Sequence, residues 1–259
     1  MLWEAWQYLT TPASPIVRKM GYLYEAIAMA ARLGRCRYSW QPHYQQCQQA
    51  IKHAMMQCKT KRKALIMGAG LLQDIPLAQL SSEFEQVLLV DMVFLKQAKQ
   101  QAASYSNVQC IEFDVTESIE NMFHGVLQVT EPQAWLSDDQ IDLVVSLNLI
   151  TQLPLLPVSW LMKQFHMDEQ QADQIGQALI SAHLAYLQKF NAPICLIADR
   201  LDREFDSHGQ LIDEFDSWWG VTQPGLVQSW DWELMPFAES GRLRKRRVNQ
   251  VGVSYFNVA

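Results

Sequence analysis

The sequence lacks several features that would assign it to a class of protein at once. Its first residues, Met1-Leu-Trp-Glu-Ala-Trp-Gln, do not show the basic and then apolar layout of a secretory signal peptide. No segment approaches the roughly 18 consecutive apolar residues that a membrane-spanning helix needs. The five cysteines form no Cys-x-x-Cys pair, and such an odd, scattered set is typical of a reducing compartment. We therefore expect a cytoplasmic protein with no membrane partner.

Cysteine and histidine are concentrated near the N-terminus, where Cys36, Cys47 and Cys58 are evenly spaced and His43 and His53 lie between them. On one helix the cysteines would lie near a single face but about three turns apart, too far to share one ion. We expect these cysteines to be small buried side chains, and no metal.

Charge divides the chain. Residues 1–63 contain ten Lys/Arg and two Asp/Glu, which give a net charge of +8. Residues 64–259 contain eleven Lys/Arg and twenty-five Asp/Glu, which give -14, so the whole chain has a net charge of -6. A basic helical segment that docks on an acidic domain explains this pattern. Because the acidic majority would repel a phosphate backbone, we expect no nucleic-acid partner.

Residues 1–62 have the pattern of an N-terminal helical cap. Apolar residues at helical spacing predict helices over Ile16–Leu33 and Tyr44–Met56. Gly34 is the predicted stop of the first helix and Pro42 the restart.

From residue 63 onwards, short apolar runs alternate with helical segments, which predicts a second domain over residues 63–259. The predicted strands are Ala64–Met67, Val87–Asp91, Val108–Val115, Ile141–Leu147 and Ile194–Ala198, and the predicted helices are Ile75–Phe84, Leu95–Tyr105 and Met167–Phe190. Repeating β-α-β units with continuous Val, Ile and Leu strands indicate an α/β fold, a Rossmann-like, doubly wound, mostly parallel sheet. Trp230–Leu234 and Arg244–Val258, with no helix between them, predict an antiparallel closing pair.

The candidate site follows from the rule that ligands of open α/β sheets bind outside the carboxyl ends of the strands. Gly68-Ala69-Gly70 ends the first strand, where glycines let the backbone approach a ligand closely. Asp91 ends the second strand, at the distance from the glycines where a carboxylate can accept both hydroxyls of a ribose. Asp114, Asn148 and Asp199 end the third, fourth and fifth strands, and Asp114 could accept a hydrogen bond from an adenine amine.

Each acid also has a structural interpretation. An aspartate at a strand end is often a turn residue or a helix cap, which applies to Asp91 and Asp114. We expect Asp74, ahead of Pro76, to cap a helix. Asp199 could pair with Arg200 or Arg203.

The order of these motifs resembles the class I S-adenosylmethionine-dependent methyltransferases over residues 63–259. The matching stretches are Met67-Gly68-Ala69-Gly70, Leu89-Val90-Asp91, Glu112-Phe113-Asp114-Val115 and Asp142 to Pro154. The resemblance implies a seven-stranded sheet with a reversed C-terminal strand and S-adenosylmethionine as cofactor. It implies a cofactor site made of Gly68, Ala69, Gly70, Asp91, Met92, Asp114, Val115 and Asn148, with Asn148 near the sulfonium.

The chain departs from the family pattern at two positions. Ile66 stands where an acid is usual, for which Asp74 is a possible substitute, and Leu72 stands where a third glycine is usual. A nicotinamide enzyme would instead need glycine at Gln73. These departures leave open a second function, a non-catalytic binding or scaffold protein that has lost the cofactor.

The resemblance implies methyl transfer to an acceptor that the sequence does not identify. Asp199 is the best-placed general base, with His166 behind it. The acid-rich segment Asp199–Asp216 predicts a hairpin or lid near the site. Trp218, Trp219, Trp230 and Trp232 are either core or an aromatic wall for the acceptor, and a homodimer is left open.

Overall fold

The structure, a computed structural model, describes residues 2–239 and 245–257. The helices are α1 Leu2–Thr10, α2 Pro15–Lys19, α3 Tyr22–Met56, α4 Leu77–Glu83, α5 Lys96–Ala102, α6 Ile119–Phe123, α7 Leu155–Phe165 and α8 Glu169–Gln188, with a 3-10 turn at Ile150–Gln152. The strands are β1 Lys63–Met67, β2 Gln86–Asp91, β3 Val108–Glu112, β4 Ile141–Leu147, β5 Ile194–Phe205, β6 Leu211–Asp216, β7 Gln228–Met235 and β8 Arg246–Phe256. No helix among these residues is long and apolar enough to cross a membrane.

The strands form one sheet in the order β3-β2-β1-β4-β5-β8-β7. The first five run parallel, β8 is antiparallel to β5, and β7 is antiparallel to β8. The predicted α/β architecture with an antiparallel closing pair is therefore confirmed. Part of the loop predicted between the pair, and the ends of the predicted last strand at Arg244 and Val258, lie outside the described residues.

Over the part of the chain that the structure describes, the sheet has eight strands, one more than the seven expected. β5 continues past the parallel region to Phe205, and β6 pairs only with this extension. The turn between them is held by Asp206, whose carboxylate accepts the backbone N–H groups of His208 and Gln210 at 2.8 and 2.9 Å. The acid-rich segment is thus a hairpin, as predicted, and it adds a strand to the sheet.

Alternating strand residues bury against helices on both faces, as a doubly wound sheet requires. One core cluster joins strand residues such as Ile66, Leu89 and Val145 to α3, α4 and α5. The other joins Leu65, Val90 and their neighbours to α8. Since α3 packs on the sheet itself, the N-terminal segment shares the main core.

The predicted break between two N-terminal helices is wrong, because α3 is a single helix of 35 residues. Gly34 and Pro42 both lie inside it. An interior glycine costs only about 1 kcal/mol, and proline removes one hydrogen bond and adds a steric cost. Packing opposes these costs: Trp40 is fully buried and its indole N–H donates to the Glu233 carbonyl of β7 at 3.0 Å.

Candidate functional site

A cavity of about 840 Å³ lies at the carboxyl ends of β1, β2 and β4, between α3 and the strands β5, β8 and β7. All eight predicted cofactor-site residues and Asp199 line it. The parallel strands converge there because each ends at the same edge of the sheet. A second, shallower depression lies at the opposite end of the strands, around Arg62, Gln86 and Gln140.

The turn after β1 requires glycine at Gly68. Its φ is +81°, and a Cβ there would lie 2.3 Å from the Leu147 carbonyl oxygen at the end of β4. The N–H groups of Gly68 and Ala69 both donate to the Val90 carbonyl, at 2.9 and 3.1 Å. Gly70 (φ +42°) donates its N–H to Asp91 Oδ2 at 2.8 Å. The turn is therefore held between β4 and β2 with its backbone facing the cavity.

The two departures from the family pattern have structural explanations. Leu72 adopts a left-handed backbone with φ +63°, so this position has the conformation that glycine favours, with a buried leucine side chain. Ile66 is fully buried in the core beneath α3, where an unpaired acid would be strongly destabilising.

Asp91 ends β2 and faces the cavity. Its Oδ1 accepts the Met92 N–H at 2.8 Å, and its Oδ2 accepts the Gly70 N–H. Burial raises the pKa of Asp91 to about 6, although hydrogen bonds from backbone N–H groups lower it in part. The Val93 N–H also hydrogen-bonds this carboxylate, so three backbone donors share its roughly four acceptor positions and at least one stays free for a ligand hydroxyl.

Asp114 lies in a different position from the one expected. β3 ends at Glu112, two residues earlier, and Asp114 belongs to the following turn. Its carboxylate accepts hydrogen bonds from the N–H and hydroxyl of Thr116 and from the N–H groups of Ser118 and Ile119, at 2.6–2.9 Å. These bonds occupy its acceptor sites and organise the start of α6. Contact between Asp114 and an adenine stays a prediction.

Asn148, at the end of β4, is part of a buried polar cluster that the sequence did not predict. Its backbone is left-handed (φ +47°), and its side-chain nitrogen lies 3.1 Å from Asp74 Oδ2 and 3.2 Å from His43 Nε2. Asp74 is no helix cap, because α4 begins after Pro76 without a side-chain cap. Burial raises the pKa of Asp74 to about 6.

His43 reaches this cluster from α3 and is fixed in orientation. Its ring stacks on Trp232 with centroids 4.0 Å apart, and the Trp230 indole N–H donates to His43 Nδ1 at 3.1 Å. Burial lowers the pKa of His43 to about 3, so the ring is neutral. Because Nδ1 accepts, the ring proton lies on Nε2, where Cys47 Sγ at 3.6 Å is the available acceptor. Asn148 Nδ2 therefore donates to Asp74 and makes no hydrogen bond to His43.

His43, Cys47 and Asp74 bring three possible metal-ligand atoms within 4.8 Å of one another. A metal at His43 Nε2 would move the ring proton to Nδ1, directly opposite the Trp230 N–H. Burial also raises the pKa of the Cys47 thiol, which opposes the thiolate that a metal needs. The donor set does not suit a metal ion. Cys36 and Cys47 are buried core residues, as the sequence predicted.

Asp199 is 7% exposed at the far side of the cavity. It does not pair with Arg200 or Arg203 as the sequence allowed: Arg200 bonds Gln223, Pro224 and Ser254, and Arg203 pairs with Asp231. A side-chain hydrogen bond joins Asp199 to Asn249, and burial raises the pKa of Asp199 to about 6. The backup candidate His166 is exposed at the end of α7, outside the cavity lining.

The four tryptophans divide between core and cavity. Trp218 is fully buried and donates to the Asp199 carbonyl at 2.7 Å. Trp219 and Trp232 line the cavity, and Trp230 orients His43. Two local signals could have indicated this arrangement: His43 and Cys47 are four residues apart on one helix face, and Trp230 and Trp232 alternate on one strand face.

No protein-family model and no curated protein matches the sequence. Among solved structures, the chain is similar to 1,6-didemethyltoxoflavin-N1-methyltransferase of Burkholderia thailandensis bound to 1,6-didemethyltoxoflavin and S-adenosylhomocysteine. The identity is 14%, over 95% of this chain and 92% of the other, with a TM-score of 0.42. It is also similar to the N-methyltransferase NodS of Bradyrhizobium japonicum WM9 in complex with S-adenosylhomocysteine (9% identity, 80% and 85% of the chains, TM-score 0.35). A third similar structure is a DhpI complex with SAM and HEP. Its identity to this chain is 12%, over 92% of this chain and 84% of the other, with a TM-score of 0.36.

These similarities are of fold only. The mostly parallel sheet with a reversed C-terminal strand is the architecture that the resemblance to class I S-adenosylmethionine-dependent methyltransferases implied.

Proposed function

We propose that the protein is an S-adenosylmethionine-dependent methyltransferase. One observation carries the proposal: the glycine turn after β1 is hydrogen-bonded to the Asp91 carboxylate in the wall of the cavity. Asp91 keeps at least one free acceptor position, which suits a hydroxyl of a ribose. The cavity volume is in the upper range of small-molecule sites and leaves space beyond the cofactor for an acceptor.

In this proposal Gly68, Ala69 and Gly70 border the methionine part of the cofactor, and Asp91 with Met92 holds the ribose. Val115 borders the adenine, and Asn148 lies toward the sulfonium. The bound cofactor supplies a methyl group activated by the positive sulfur, so the protein contributes mainly positioning. α3 covers this end of the cavity and limits access of water.

Asp199 is the proposed proton acceptor. Its raised pKa, about 6, keeps it largely ionised at neutral pH while making it a stronger base than an exposed aspartate. We also propose a cytoplasmic location, in keeping with five free cysteines. Along the chain we place a boundary near residue 63 between a helical segment and a sheet segment, which fold together around one shared core. The homodimer stays a prediction.

Calorimetric titration with S-adenosylhomocysteine tests the proposal. We expect micromolar binding by the wild type and at least a tenfold loss in Asp91→Ala, because charged hydrogen bonds contribute about 1.5–3 kcal/mol each. Asp91→Asn keeps an acceptor oxygen for the glycine turn and separates loss of the ribose contact from loss of the turn.

Asp173→Asn is the matched control, since it removes an exposed carboxylate from α8 on the other side of the sheet. It should bind as the wild type does. Absence of binding to folded wild-type protein would contradict the proposal and favour the scaffold function.

A further inference from the structure

Five buried polar atoms belong to residues that line the cavity and have no hydrogen-bond partner among the described residues. They are Asn148 Oδ1, Thr151 Oγ1, Asp199 Oδ1, Trp232 Nε1 and Asn249 Oδ1. Each belongs to a side chain that is at least nine-tenths buried. A buried polar group without a partner is destabilising, and such groups are rare in folded proteins. Their concentration in the wall of one cavity favours a ligand there that supplies hydrogen bonds.

Three of these atoms project from one face of three neighbouring strands. Asn249 of β8 lies opposite Trp232 of β7 and Asp202 of β5. A bulge at Arg200 shifts the register of β5, so Asp199 lies opposite Val251, on the same face as Asn249. Without this extra residue, Asp199 and Asp202 would point to opposite faces. The bulge therefore aims Asp199 into the cavity.

The atoms are mainly hydrogen-bond acceptors. Asn148, Asp199 and Asn249 each present an oxygen, Trp232 presents an N–H, and the Thr151 hydroxyl can do either. A complementary ligand is rich in N–H groups and has at least one acceptor atom.

The charges in the cavity oppose an anion. Among the described residues, its lining contains two basic residues, Arg32 and Arg247, and the acids Glu25, Asp74, Asp91, Asp114, Asp199, Asp202 and Asp216. Arg247 is already paired with Asp202. Aromatic side chains, among them Tyr44, Phe215 and Trp219, also line the cavity and can contact a flat ring.

We propose that the end of the cavity formed by Asp199, Trp232 and Asn249 binds the methyl acceptor, and that this acceptor is a planar, neutral or cationic nitrogen compound. Its N–H groups donate to the Asp199 and Asn249 oxygens, and a ring nitrogen accepts the Trp232 N–H. The assignment of the bound compound as methyl acceptor rests on the proposed function, whereas the binding chemistry does not.

Binding of two flat probes tests this inference: 2-aminobenzimidazole, which carries several N–H groups and a ring acceptor, and 2-naphthoate, an anion of similar shape. Each is titrated calorimetrically into the full-length protein, with and without S-adenosylhomocysteine. We expect 2-aminobenzimidazole to bind and 2-naphthoate to bind at least tenfold more weakly.

Two variants assign the contacts. Asp199→Asn should weaken 2-aminobenzimidazole about ten- to a hundredfold, and Trp232→Phe, which keeps a ring against His43, should weaken it about three- to tenfold. Asp173→Asn is the control and should leave it unchanged. A thermal melt of each variant checks that the fold is intact.

Three results would overturn the inference: no binding of 2-aminobenzimidazole to the folded wild type, equal or tighter binding of 2-naphthoate, or unchanged affinity in folded Asp199→Asn. The last would mean that water alone satisfies the buried atoms. Probe binding sensitive to Asp199, without any S-adenosylhomocysteine binding, would uphold the subsite and contradict the methyltransferase proposal. Binding of S-adenosylhomocysteine without binding of 2-aminobenzimidazole would uphold the methyltransferase proposal and contradict the subsite.

Discussion

At the scale of single residues, the cavity depends on acids that are held inside the protein. Burial raises the pKa of Asp74, Asp91 and Asp199 to about 6 in each case. A raised pKa in the folded state means that these groups stabilise the protein when protonated and that this stabilisation disappears as they ionise. Groups of this kind are typical of functional sites, where stability is exchanged for chemistry.

Asp199→Asn should therefore change how stability depends on pH. The folded pKa is above the unfolded value near 3.8, so the contribution of Asp199 is fully present below pH 3.8 and is lost as the pH rises through about 6. Relative to wild type, we expect the variant to gain about 1–2 kcal/mol in free energy of unfolding between pH 4.5 and pH 7.5. Urea titrations at the two pH values measure this. The same difference in free energy of unfolding between variant and wild type at both pH values would contradict a raised pKa of Asp199.

At the scale of elements, α3 determines what the cavity can contain. It is one continuous helix, so residues from its N-terminal half, such as Ala26 and Met29, and His43 from its middle line the same cavity. The helix persists through Gly34 and Pro42 because its buried face contacts the sheet. Tertiary packing here outweighs the local preference for a break.

Two glycines inside helices should respond oppositely to alanine. At Gly34 in α3 a Cβ would meet no atom within 4 Å, so Gly34→Ala should raise the free energy of unfolding by about 0.5–1 kcal/mol. At Gly176 in α8 a Cβ would lie 2.2 Å from the Trp219 ring, so Gly176→Ala should destabilise by about 1–3 kcal/mol. Chemical denaturation of both variants tests this pair. Destabilisation by Gly34→Ala would mean that α3 is broken at this residue.

At the scale of the whole molecule, the N-terminal segment and the sheet share one core. Cys36, Trp40 and Ile51 of α3 belong to the same buried cluster as the central strands. We therefore expect a fragment of residues 63–259 to lose cooperative unfolding, whereas deletion of residues 1–13, which contribute no residue to that cluster, should preserve it. Thermal melts followed by circular dichroism distinguish the two. A cooperative melt of the fragment of residues 63–259 would contradict this expectation and show that the helical segment is a separable cap.

The parts of the fold and site that could be predicted are those with a local signal. The apolar strands, Gly68, Gly70 and Asp91 are visible because strand ends and glycine turns are encoded over a few residues. The sequence does not predict the hairpin strand β6, because this exposed, acid-rich segment lacks an apolar face. The sequence does not indicate His43 as a site residue, because its contact with Trp230 joins residues 187 positions apart. The role of Asp199 in the cavity likewise depends on the register of β8, which local patterns do not specify.

The most direct test of the methyltransferase proposal is a crystal structure of the protein with S-adenosylhomocysteine. We expect both ribose hydroxyls within hydrogen-bond distance of the Asp91 carboxylate, the sulfur directed toward Asn148, and the space beside Asp199 and Trp232 left for an acceptor. Ligand bound elsewhere, or crystals grown in excess ligand with water alone beside Asp91, would contradict it.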